Sequence, residues 1–145
     1  MSESASSACL IGRVLQAMHQ YPEAIDQFEQ VELIDGADAA KTKESFDQFR
    51  EAFKKNGGEK GYWLEQLRRT EKEPDSEFYW KAVIHFHLGH TNDVFRWLYK
   101  SFETREEAGG IHHALNGLLF DEYWDGLRAD PRFKELVRKV GFPGK

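Results

Sequence analysis

The sequence is poor in cysteine, with Cys9 as the only one in 145 residues. A single thiol cannot form an internal disulfide bond, and this usage is typical of a reducing compartment. The chain also lacks a run of about 18 apolar residues, the length that a membrane-spanning helix needs. Its first residues lack the basic segment and apolar stretch of a secretory signal. We therefore expect a cytoplasmic protein.

An excess of basic residues is also missing. The chain has 20 Lys and Arg against 25 Asp and Glu, a formal net charge of -5. No broad positive field is available to attract nucleic acid phosphates or an anionic membrane surface, so we expect neither as a direct partner. Aromatic residues are abundant, with 4 Trp, 5 Tyr and 11 Phe. This composition and length predict one packed domain of residues 1–145.

Apolar residues recur at spacings of three and four along most of the chain, which predicts helices. Pro22 suits the first turn of the second helix, and Gly36 and Gly89 are typical helix stops. Asp75 or Ser76 is predicted to cap the fifth helix, and Asp130 to cap a closing helix that starts at Pro131. The six main predicted helices cover roughly residues 10–18, 22–34, 38–55, 63–72, 76–88 and 91–107.

These helices contain a repeated pattern. In the first pair, Gly12 follows Ile11, Tyr21 lies at the turn, and Ala24 and Phe28 follow. Small residues at positions 12 and 24 let two helices cross closely. Residues 8–36 thereby resemble a tetratricopeptide repeat, a helix hairpin of about 34 residues. A looser copy lies 70 residues on, where Ala82, Gly89, Val94 and Leu98 replace residues 12, 19, 24 and 28.

The C-terminal segment strengthens this resemblance. The stretch LRADPRFKELVRKVGFP, from Leu127 to Pro143, is similar to the closing segment of many bacterial tetratricopeptide proteins, with Ala129 in place of the usual Ser. The resemblance implies an all-α fold: an α-solenoid of about three antiparallel hairpins in a right-handed superhelix. The implied repeats are about 5–36, 37–72 and 75–107, followed by an aromatic linker and a capping helix at 110–145.

The resemblance implies a scaffold that binds a peptide, a protein or a second copy of itself. In related proteins this region belongs to winged-helix transcriptional regulators, adenylate cyclases or serine/threonine kinases. The first helix has no preceding hairpin, so we expect it to dimerise or to lean on a missing repeat. The first helix of each pair would line a groove, here formed by Cys9, Arg13, Gln16, Tyr79, Trp80, Val83, Phe86 and His87. The alternative is that these rings pack on the third helix or on the C-terminal cap.

A second hypothesis is a sensor domain that binds a small molecule in an apolar pocket near the C-terminal cap. The pocket would be lined by Trp80, Phe95, Trp97 and Trp124. Ligand binding would then be transmitted to an output domain that is absent from this sequence.

The sequence offers little evidence for an enzyme or a metal site. His85, His87 and His90 form a cluster, but side chains two apart on a helix point away from each other, and no carboxylate motif completes a ligand set. Packing or turn hydrogen bonds are the alternative for these histidines. The carboxylate pairs Glu106–Glu107 and Asp121–Glu122 are expected to face solvent, and Cys9 has no recognisable His and Asn framework. The glycine-rich segment 56–61 lacks the Gly-Lys-Ser/Thr order of a phosphate loop. We expect no catalysis, cofactor or metal.

Overall fold

A computed structural model describes residues 3–72, 77–107 and 117–141, and all the regular structure in these ranges is helical. This confirms the predicted all-α class. None of the described helices combines the length and the hydrophobicity that crossing a membrane requires. The elements are α1 (Glu3–Ala17), α2 (Tyr21–Ile34), α3 (Ala39–Lys55), α4 (Glu59–Thr70), α5 (Phe78–His87), α6 (Thr91–Glu107), α7 (Gly117–Phe120), a 3-10 helix (Glu122–Leu127) and α8 (Pro131–Val140).

The chain divides into two compact units, Met1–Gln66 and Leu67–Lys145. In the first unit α1 packs on α2 and α2 packs on α3. In the second unit α5 packs on α6 and α6 packs on α8. Sequence analysis predicted one domain with repeats at about 5–36, 37–72 and 75–107, and that division stays a prediction.

Several predicted helix ends are confirmed. The Asp38 side chain caps α3 by accepting a hydrogen bond from the Lys41 amide at 2.9 Å. Asp130 caps α8 in the same way, accepting from the Arg132 amide at 2.9 Å. The predicted caps at residues 75 and 76, and residues 110–116 of the predicted linker, lie outside the described residues.

Helices α1 and α5 end in the same kind of turn. The Gln20 amide donates to the Leu15 carbonyl at 2.8 Å, and the His90 amide donates to the His85 carbonyl at 2.9 Å. The residue before each donor, His19 or Gly89, has a positive φ, 61° and 77° respectively. This is the Schellman arrangement, in which a left-handed residue closes the helix and reverses the chain. The two turns are 70 residues apart, as are the matched positions of the sequence pattern.

Close helix contacts in the first unit depend on residues without bulky side chains. A Cβ atom built on Gly12 would lie 2.8 Å from the Phe28 ring, so a larger residue at this position would require that ring to move. Ala24, on the α2 side of the hairpin, is fully buried. The contact between α4 and α3 is tighter, since a Cβ atom on Gly61 would lie 2.0 Å from the Ala52 carbonyl oxygen.

Tyr21 joins the helices of the first unit. Its ring is buried and lies 4.8 Å from the ring of Tyr62, centroid to centroid. Its hydroxyl donates to the Glu59 carboxylate at 2.8 Å and accepts from the Trp63 indole at 3.2 Å. Burial raises the pKa of Tyr21 well above its usual value, which keeps the phenol protonated and able to donate. The residue predicted at the helix turn therefore also anchors α4.

The core of the second unit is formed where α5, α6 and α8 meet. Ala82 and Leu98, both predicted to pack between helices, are fully buried there. The segment after α7 is held by Arg128, whose guanidinium donates to the Leu118 carbonyl at 2.7 Å and also to the carbonyls of Leu119 and Asp121. The other fully or nearly buried hydrophobic residues of this core are Val83, Val94, Phe95, Phe102, Leu118, Trp124, Phe133 and Leu136.

We expect Gly61→Ala to destabilise the protein, because the added methyl group has to push α4 away from the backbone of α3. The free energy of unfolding, measured with urea, should fall by about 1–3 kcal/mol, the usual effect of overpacking. Gly126→Ala is the matched control, since a Cβ atom there meets no atom within 4 Å. Equal effects of the two substitutions would contradict the close contact.

Candidate functional site

The apolar face of α1 is exposed. Three large side chains of α1, and that of Met18 directly after it, keep about half or more of their surface accessible: Leu10 64%, Ile11 49%, Val14 49% and Met18 58%. With 3.6 residues per turn they lie within an arc of about 100°, so they form one stripe along the helix. We call these four residues the α1 stripe. Ile34 of α2 is also exposed.

The opposite face of α1 packs into the first unit with small or polar residues. Ala5, Ala8, Gly12 and Gln16 are buried, and the Gln16 side chain accepts a hydrogen bond from the Tyr62 hydroxyl at 2.7 Å. The helical spacing of α1 therefore predicted the helix, and the structure adds that its larger residues face outward. Small residues bring α1 close to α2, which leaves no room for the large ones on that side.

The stripe is almost free of charge. Between Ser4 and Met18 the sequence has one ionisable acid or base besides Cys9, the exposed Arg13, although 31% of the whole chain is charged. Depletion of charged residues is typical of the centre of protein interfaces. The surface of α1 thus has the composition of an interface centre.

The two groove residues predicted in the first unit differ in exposure. Arg13 is exposed, as a residue that contacts a partner has to be. Gln16 is buried and hydrogen-bonded to Tyr62, so its side chain supports the packing of α4 on α1. Cys9, placed beside them by the resemblance, is half-buried.

The groove residues predicted on α5 belong to the second unit and lie against its aromatic core. Val83 is buried, whereas Tyr79, Trp80, Phe86 and His87 are half-buried. The ring of Phe86 lies 5.9 Å from Trp124, and the ring of His87 lies 5.4 Å from Tyr123. These contacts agree with the alternative that the rings pack against the C-terminal segment. The predicted groove itself stays a prediction.

The rings predicted to line a small-molecule pocket are packed against other side chains. Trp124 and Phe95 are buried, and the Arg132 guanidinium lies 4.3 Å from the centre of the Phe95 ring. Trp97 is half-buried and stacks on Phe78, with 5.8 Å between ring centres. Trp80 is half-buried and packs against the hydrophobic core of the second unit.

Tyr79 links α5 to the C-terminal segment through two hydrogen bonds. Its hydroxyl donates to the Asp121 carboxylate and accepts from the Trp124 indole at 2.8 Å. Burial, together with the nearby Asp121 carboxylate, raises the pKa of Tyr79 far above its usual value. The phenol is therefore a permanent donor at this junction.

The turn between α5 and α6 brings three possible metal ligands together. The Nδ1 atoms of His85 and His90 are 3.1 Å apart, and the Nδ1 atom of His85 is 3.9 Å from a carboxylate oxygen of Asp93. The ligand atoms of these three residues all lie within 4.8 Å of one another. We call them the His–Asp cluster. Among the described residues no other group of three such side chains comes this close.

Spacing along a straight helix does not predict this cluster. His85 lies in α5, His90 lies beyond Gly89, and Asp93 lies in the first turn of α6. The Schellman turn folds His90 back onto His85, whereas His87, the third histidine of the sequence cluster, packs on Tyr123. The signal available in the sequence was a histidine pair flanking a helix-ending glycine, followed three residues later by an aspartate.

His85 is held in its neutral form. Burial lowers the pKa of His85 below its usual value, an effect larger than the opposing influence of the Asp93 carboxylate, while His90 and Arg96 also lower it. A neutral imidazole is the form that binds metal ions.

Comparison of the chain with protein-family models, with curated proteins and with solved structures finds no match.

We expect Tyr79→Phe to lower the free energy of unfolding by about 1–3 kcal/mol, because it leaves the Trp124 indole and the Asp121 carboxylate without their shared partner. Tyr99→Phe is the matched control. The Tyr99 hydroxyl donates to a single carbonyl, that of Arg132, at 3.1 Å in an exposed position. Its loss should cost less than about 1 kcal/mol. Equal losses in urea unfolding would argue against the Tyr79 junction.

Proposed function

We propose that this chain is an interaction module that binds another polypeptide through the α1 stripe. The observation that carries the proposal is the exposure of four large apolar side chains along one helix. Folded monomers rarely expose a contiguous apolar patch of this kind unless it meets a partner. Burying a side chain such as Leu or Met contributes about 1.5–3 kcal/mol when it starts fully exposed. Four half-exposed side chains can therefore supply several kcal/mol of association free energy.

The resemblance to tetratricopeptide repeats supports the same role. The hairpins α1–α2 and α5–α6 close with the same turn, and the small residues Gly12, Ala24 and Ala82 are buried where the resemblance expects close packing. By this resemblance we propose that the chain is the docking or sensing part of a bacterial regulatory protein. Arrays of such repeats stack hairpin on hairpin, so an apolar outer face on the first helix is where a further hairpin would pack.

A second copy of the chain is the occupant that we propose for the stripe. A two-fold contact places the same surface on both partners, and an apolar stripe on a helix is complementary to itself in this way. Arg13 is the only permanent charge on α1 between Ser4 and Met18. Packing α1 against its symmetry mate therefore brings together little like charge.

Val14→Glu should abolish this association. A carboxylate at the centre of an apolar contact loses its hydration without gaining a partner. We expect the dimerisation constant, measured by sedimentation over a wide concentration range, to weaken by at least about tenfold, which corresponds to about 1.4 kcal/mol. Gln30→Glu, which adds the same charge at an exposed position of α2, is the matched control and should leave the constant unchanged.

Two results would contradict the proposal. A chain that stays monomeric at every concentration rules out self-association. A chain that associates equally well with and without Val14→Glu places the interface elsewhere. Circular dichroism of both variants shows whether the helices remain intact, so that unfolding is not mistaken for loss of the interface.

The sensor hypothesis is tested separately by thermal unfolding with a panel of small metabolites. A ligand that binds only the folded chain raises the unfolding midpoint, and the rise grows with the ratio of ligand concentration to dissociation constant. A rise of several degrees that is lost in Trp97→Ala would favour a sensor. A flat response across the panel favours the interaction module.

A further inference from the structure

The His–Asp cluster has the spacing of a metal site. Around a tetrahedral zinc ion with bonds of about 2.0–2.1 Å, neighbouring ligand atoms lie about 3.3 Å apart. The two imidazole Nδ1 atoms are 3.1 Å apart, close to that value. The Asp93 oxygen is 3.9 Å from the Nδ1 of His85, and all three ligand atoms lie within 4.8 Å of one another, so the Asp93 side chain has to rotate toward the two imidazoles when an ion binds.

The backbone holds two of the three ligands in place. The His90 amide donates to the His85 carbonyl, which closes the turn and sets the two side chains side by side. Gly89 provides the left-handed residue that the turn needs, with φ of 77°. Most of the His85 side chain is buried, at 12% exposure, so its ring orientation is fixed by its neighbours. A site whose ligands are already positioned loses little conformational entropy when an ion binds.

The third ligand is oriented from α6. Asp93 lies in the first turn of that helix and is 41% exposed. The Arg96 guanidinium, one turn on, lies 3.9 Å from the other Asp93 oxygen, Oδ1. One carboxylate oxygen therefore faces the imidazoles while the other faces Arg96. This division lets the carboxylate bind an ion through a single oxygen.

We propose that His85, His90 and Asp93 bind a divalent transition-metal ion, with zinc as the ion that fits best. Two imidazole nitrogens and one carboxylate oxygen are a donor set that suits zinc and its neighbours in the first transition row, whereas calcium and magnesium prefer oxygen alone. Three protein ligands leave a fourth coordination position open. His90 is exposed, so the cluster can be reached from solvent.

Without an ion, the same residues make an ordinary hydrogen bond between two imidazoles, next to a carboxylate. In that arrangement the Nδ1–H group of one ring donates a hydrogen bond to the Nδ1 atom of the other. A metal site and a simple hydrogen bond can be distinguished by measurement. Only a metal site has an affinity for zinc that depends on all three side chains.

The test is a titration of the chelator-treated full chain with zinc chloride, measured by isothermal titration calorimetry. We expect one ion per chain. His85→Ala, His90→Ala and Asp93→Asn should each weaken binding by at least about tenfold, since even the loss of a residue that only supports a ligand costs 10- to 100-fold. Cobalt, used as a spectroscopic probe, should give visible absorption bands that disappear in the same variants.

His19→Asn is the matched control. His19 is exposed, lies in the first unit and closes the equivalent turn after α1, and Asn tolerates its positive φ of 61°. It should bind zinc like the original chain. Circular dichroism checks that each variant keeps its helices, and Asp93→Asn alters a partly exposed side chain without changing its size. Zinc affinity that is unchanged in the three cluster variants, or absent from the original chain, would overturn the proposal.

Discussion

The structure depends on close contact between helices at positions where the side chain is a hydrogen atom or a methyl group. Gly12 lies against Phe28, and Gly61 lies against the backbone of Ala52. Gly61 belongs to α4, the helix whose Glu59 and Trp63 are hydrogen-bonded to Tyr21 of α2. A larger residue at Gly61 would push α4 away from α3 and displace the groups that Tyr21 joins. In the first unit, helix packing and the hydrogen bonds of Tyr21 therefore both depend on the close approach of the helices.

The same requirement explains the surface of α1. A helix that presents alanine and glycine to its neighbour has to carry its large apolar residues elsewhere, and in α1 they point outward. The exposure of Leu10 and Met18 is thus linked to the burial of Ala8 and Gly12. One face determines how tightly the hairpin closes, and the other supplies the surface that we propose for association. The two faces of α1 therefore serve different purposes: one packs closely on α2, and the other forms the proposed binding surface.

Much of the fold could be predicted from the sequence, because its signals are local. Apolar spacing predicted the helices, and Gly89 and Asp130 marked ends that the structure confirms. The direction of the α1 stripe could not be predicted, since spacing identifies a face without saying what covers it. The His–Asp cluster was missed for a related reason. His85 and His90 meet only because Gly89 reverses the chain, and a straight-helix spacing rule places them apart.

The position of the cluster along the chain also limits what an ion could do there. His85, His90 and Asp93 are near neighbours in sequence, so even an unfolded chain keeps them within reach of one another. Tying such a short segment removes little freedom from the unfolded ensemble. An ion would therefore act mainly on local opening, slowing amide exchange at the junction of α5 and α6 while changing global unfolding less. The bound ion would therefore control how often the turn between α5 and α6 opens.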